Sequence, residues 1–152
     1  PDYTLDFISV AEPGTEGKDT INYTYTRDGS PLKVVMPTRA GTYELRYVVR
    51  QNKSVLAARS ISVTEVTASL DAPDKGTAGA TVTVTWSGPD YALDFISLAK
   101  PGSRGSKAIR YVYTHKGSPL RVKLPDRPGK YEIRYVLHQD KKIIAKSAIT
   151  VE

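Results

Sequence analysis

Between Gly129 and Gln139 the chain reads GKYEIRYVLHQ. Tyr131, Ile133, Tyr135 and Leu137 fall on one side of a two-residue period, and Glu132, Arg134 and Val136 on the other. That period belongs to an extended strand, whose alternate side chains face opposite ways. An apolar side opposed to a polar one predicts a sheet with one face against a core. The same reading predicts strands at 93–99, 108–114, 119–124, 131–138 and 142–151, parted by KPGSRGSK, HKGS and DRPG. Ahead of them, VTASLDA from Val66 and ATVTVTW from Ala80 read as two further strands around a turn rich in Gly, Pro and Asp. Strand-forming residues dominate, turn residues recur every eight to twelve positions, and no stretch sustains a helical period. The pattern predicts an all-β protein, an antiparallel sandwich of about seven strands.

The pattern occurs twice. GTYELRYVVRQ at 41–51 answers GKYEIRYVLHQ, and an ungapped offset of 88 aligns residues 1–64 with 89–152, identical at 34 of the 64 positions. All ten tyrosines and both phenylalanines fall in matched pairs. Such self-similarity means two copies of one domain, expected at 1–64 and 65–152. The second copy alone has the lead-in 66–88, VTASLDAPDKGTAGATVTVTWSG. Copy one therefore begins where its third strand should begin, and the chain is expected to be a piece of a longer one. Strands from outside this chain should complete copy one, contributed by an upstream fragment or a neighbouring molecule, because an uncovered edge and half a core invite pairing. Pro1 is then expected to mark the break. The connection SISVTEVTASLD carries neither Gly nor Pro and is expected to be extended and stiff.

Composition narrows the chemistry. Cysteine is absent, which excludes disulfides, thiol catalysis and zinc–thiolate sites. No apolar run is long enough to span a membrane. The net charge of +6 is uneven: residues 1–64 carry eight Lys/Arg against seven Asp/Glu, and residues 65–152 carry fourteen against nine. Weak binding of a polyanion, if any, is expected in copy two, with no specific nucleic-acid recognition. The two histidines, His115 and His138, align with Arg27 and Arg50, so the fold does not require imidazole there. GSRGS at 102–106 lacks the order of a serine nucleophile elbow, and no glycine-rich loop leads into a helix and a lysine. The expectation is a non-enzyme with no cofactor, no catalytic residue and no metal site.

TVTVTWSGP, DFISLAKPG, YVYTHKGSPLRVKLPDRPGKYEIRYVL and the closing AITV together resemble the immunoglobulin-like repeats attached to bacterial exported proteins with von Willebrand factor A-type domains. They are also similar to the SKICH-type β-sandwich, whose Asp-aromatic-aliphatic opening is matched by Asp6-Phe7-Ile8 and Asp94-Phe95-Ile96. DRPGKY resembles the tyrosine corner of immunoglobulin-like domains, making Tyr131 and its partner Tyr43 candidates for a bond back to upstream backbone. The likeness covers both copies. It implies two tandem immunoglobulin-like sandwiches, the first lacking its two N-terminal strands, in a non-catalytic accessory region that is periplasmic or secreted. Spacing, adhesion or contact with a protein partner would be its work. The chain has no DxSxS metal motif and no von Willebrand-type domain, so metal-dependent adhesion would lie elsewhere in a parent protein.

A second expectation is a ligand-binding module for polysaccharide or another anionic partner, mainly through copy two. Outward Arg46 and Arg134, each two residues after a glutamate, could line a ligand face, with Tyr23, Tyr25, Tyr111 and Tyr113 as stacking platforms. Asp6 and Asp94 could take a sugar hydroxyl. The competing assignment gives the charges to cross-strand pairing, half the tyrosines to the core, and the aspartates to neighbouring backbone amides.

Overall fold

The computed structural model describes residues 3–152, so the expectation placed on Pro1 lies outside the described residues. The protein is all-β, and it divides into two compact units, Pro1–Glu65 and Val66–Glu152.

The second unit holds two sheets. Its strands are β5 (Ser69–Asp71), β6 (Lys75–Gly76), β7 (Thr81–Ser87), β8 (Phe95–Ala99), β9 (Arg110–Tyr113), β10 (Leu120–Lys123), β11 (Gly129–Val136) and β12 (Ile143–Val151). One sheet runs β6-β12-β11-β8-β9 and the other β10-β7-β5. Every pairing is antiparallel except the short β6–β12 pair, Thr150 opposite Lys75 and Val151 opposite Gly76. Both sheets turn their alternate residues into one core. Ile96 and Leu98 come from β8, Ile133 and Tyr135 from β11, Val82 and Val84 from β7, and Leu120 and Val122 from β10. The Trp86 ring meets Tyr135 edge-on with centroids 5.5 Å apart.

The first unit has one four-stranded sheet, β2-β1-β3-β4, formed by β1 (Phe7–Ala11), β2 (Asn22–Tyr25), β3 (Gly41–Val48) and β4 (Val55–Val63). It repeats β9-β8-β11-β12 strand for strand. Phe7 stands opposite Val48 as Phe95 stands opposite Val136, and both central strands carry a register shift at the same Tyr-Val step. Residues 32–35, which align with β10, form no strand. Their sequence, LKVV against LRVK, is as strand-prone as its counterpart. The difference is pairing: β10 bonds along β7, and the described residues of the first unit contain no strand in that position. A strand is completed by its neighbour, and propensity alone does not make one.

The outer face of the large sheet departs from expectation. Alternation predicts a solvated side at Glu132, Arg134 and Val136, yet Arg134 and Val136 are completely buried there. The segment after β8 accounts for this. The Arg134 guanidinium donates to the carbonyls of Lys100 and Ser103, which draws that loop onto the sheet.

Candidate functional site

The arginines are pins. Arg134 Nε and Nη2 donate to Glu132 Oε2 at 2.9 and 2.7 Å, Nη2 also reaches the Lys100 carbonyl at 2.7 Å, and Nη1 the Ser103 carbonyl at 2.9 Å. Arg46 repeats this with Glu44 and with the carbonyls of Glu12 and Glu16. Burial acts to raise the Glu132 carboxyl, but the Arg134 hydrogen bond and charge outweigh it and hold Glu132 below its ordinary range. The planar, fork-like guanidinium suits a site with so many acceptors. Sequence alternation placed both arginines outward; the loops folded over them make them interior, with their donors directed at protein acceptors.

Close backbone approach lets the loop lie down. A Cβ added to Gly105 would overlap the Lys141 carbonyl, and one added to Gly17 would overlap that of Lys53. Nothing in GSRGS distinguishes this need from an ordinary turn, which is why sequence reasoning missed it. Opposite each arginine in the strand register lies a buried serine, Ser9 and Ser97, whose hydroxyl has no hydrogen-bond partner among the described residues.

Asp6 and Asp94 also turn inward. Asp94 Oδ2 accepts from Tyr135 Oη and the Tyr91 N–H at 3.1 Å each, and Oδ1 accepts from the His138 N–H at 2.9 Å. Asp6 takes the matching bonds from Tyr47 Oη, the Tyr3 N–H and the Arg50 N–H. Burial acts to raise Asp6, but the Arg50 and Tyr3 amides and the Tyr47 hydroxyl outweigh it and hold the carboxyl below its ordinary range. Each carboxylate thereby ties the start of a strand to the turn that follows the central strand. Tyr43 Oη donates to the Arg39 carbonyl at 2.9 Å and Tyr131 Oη to the Arg127 carbonyl at 2.8 Å, each four residues upstream. Among the described residues no group of three or more His, Asp or Glu could hold a metal, and no helix is long and apolar enough to cross a membrane.

Two surfaces remain open. The first is an aromatic row along the edge strands. Phe95, Tyr111 and Tyr113 follow one another at 5.6 and 5.4 Å, and His115 stacks on Tyr113 at 5.7 Å. In the first unit Phe7, Tyr23 and Tyr25 repeat the row, ending in Arg27 at 5.0 Å from the Tyr25 ring. Tyr23 and Tyr111 are each 54% exposed. A hydrogen bond to Tyr111 pushes the Tyr113 hydroxyl up.

The second is an apolar groove of about 690 Å³ in the first unit, lined chiefly by Ile8, Leu32, Val34, Met36, Leu45 and Tyr47. All six are only half-buried. Their counterparts Ile96, Leu120, Val122, Leu124, Ile133 and Tyr135 are all buried core residues, packed with Val82 and Val84 of β7. The same six positions that pack the core of the second unit line an open groove in the first. The chain matches no family model and no curated protein.

Proposed function

We propose that this chain is a non-catalytic accessory region, two tandem immunoglobulin-like or SKICH-like modules that space or dock domains of a larger exported bacterial protein, in the periplasm or outside the cell. One observation carries this reading: the matched pairs of reactive side chains are spent on architecture. Asp6 and Asp94, Arg46 and Arg134, and Tyr43 and Tyr131 all bond within their own unit. What the molecule offers outward is shape, repetition and, in the first unit, an unfilled apolar face where the remainder of the parent chain or a protein partner would dock.

A second reading, polysaccharide or polyanion binding through the second unit, is favoured by the exposed Tyr111 in its aromatic row and by that unit's positive balance. A glycan array and a heparin column run on the intact chain separate the two. Weak retention that disappears with moderate salt is the expected result. Saturable binding of one glycan class, lost in Tyr111→Ala, would replace the first reading by the second.

A further inference from the structure

We infer that the groove of the first unit is a docking site for a β-hairpin with the alternation of residues 66–88, supplied in cis from the N-terminal side of residue 1. This rests on the reading of the chain as part of a longer protein and specifies what that longer protein must contribute. Unit two shows how the matching face is filled. There β7 pairs along β10, with Leu120 opposite Val84 and Val122 opposite Val82. The Trp86 N–H donates to Ser118 Oγ and its indole Nε1 to the Gly117 carbonyl, both at 3.0 Å. β6 covers the outer edge of β12 at Thr150 and Val151.

Each receiving feature is present and open in the first unit. Leu32 and Val34 stand for Leu120 and Val122, and Gly29 and Ser30, aligned with Gly117 and Ser118, line the groove. Ser62 and Val63 of β4 stand for Thr150 and Val151, with no strand on their outer side among the described residues. An apolar face beside unpaired strand edges takes an extended segment through main-chain bonds and alternate side chains. Residue order sets the source. In unit two the segment runs through Gly88 into Pro89, and Pro89 aligns with Pro1. A second copy offering its own 66–88 would have to withdraw Val82 and Val84 from their core and open an equal groove in itself.

The test joins a copy of residues 66–88 ahead of Pro1 in the intact chain and follows amide hydrogen exchange. Protection of residues 32–36 is expected to rise by roughly 100-fold or more, as a segment without a neighbouring strand, held at its Lys33 and Val35 carbonyls by Thr24 and Asn22, becomes a ladder strand. The same graft with Val82→Asp and Val84→Asp in the added copy alone should leave those amides as fast as in the original chain. Amides of β10 and β11 in unit two report in every sample that the protein is folded. Unchanged exchange at 32–36 in the unaltered graft would overturn the inference. So would a concentration-dependent dimer of the original chain with 32–36 already protected, since a second copy would then be the occupant. Either failure leaves the glycan-array and heparin results untouched, so the accessory reading stands or falls separately.

Discussion

Arg134 shows how one side chain can be polar, ionised and wholly interior without acting on a ligand. Its guanidinium is engaged by one carboxylate oxygen and by loop carbonyls, and so its charge is offset where it lies. Removing one member of a buried ion pair costs about 3–5 kcal/mol, because the partner is left desolvated. Arg134→Met should therefore destabilise the second unit by about 3 kcal/mol. The only tryptophan is Trp86, so its fluorescence during urea denaturation reports on that unit. A loss under about 1 kcal/mol would show that the pin contributes no more than an exposed pair. At this scale the sequence was half legible. Alternation put Glu132 and Arg134 on one face and suggested cross-strand pairing; the pair that forms runs along one strand instead. The loop carbonyls follow only from how far residues 100–104 fold back, a property of the chain path that no local pattern encodes.

At the scale of elements, strand existence was readable and strand completion was not. Period-two alternation located all five strands after Pro89; most ends are trimmed by one or two residues where turns and the short 3-10 segment at Thr114–Lys116 take over, and β11 starts two residues early, at Gly129. The two-residue β6 gave no signal, since Lys75-Gly76 has neither the length nor the residue types of a strand. Leu32 to Val35 is the instructive case. It reads as a strand by composition and by its twin, and forms none, because hydrogen bonds to β7 are what hold that twin in place. A sequence window contains a segment's preferences but not its partner. The groove has a different origin: the first-unit residues that align with the core of the second have no strand opposite them among the described residues.

For the molecule as a whole, acid stability follows from carboxylates bonded within the fold, the buried Asp6 and the half-buried Glu132. Glu132 and Asp6 are held below their ordinary values of 4.5 and 3.8 in the folded state. A carboxylate with a depressed folded pKa contributes stability that is fully present above its unfolded pKa. That contribution is lost as pH falls through the folded pKa. Unit two should thus hold its melting temperature from neutrality to about pH 4.5 and lose it progressively below, with unit one following from about pH 3.8. Glu132→Gln should flatten the profile of unit two, read by Trp86 fluorescence. An unchanged slope would show that other groups govern the acid limb.

The grip of Arg134 on the segment after β8 also has a consequence for digestion. Arg104–Gly105 is a bond that trypsin would cut, and Arg104 is exposed. A protease must draw several residues into an extended strand before it cuts. Here the Ser103 carbonyl is held at 2.9 Å by a buried guanidinium, and Gly105 is pressed against the Lys141 carbonyl. The native protein should keep that peptide bond through brief trypsin treatment, while Arg134→Met releases the loop and is nicked after Arg104, as mass spectrometry of the fragments would show. A side chain sealed under the surface thereby decides whether a cleavage site on the surface can be used.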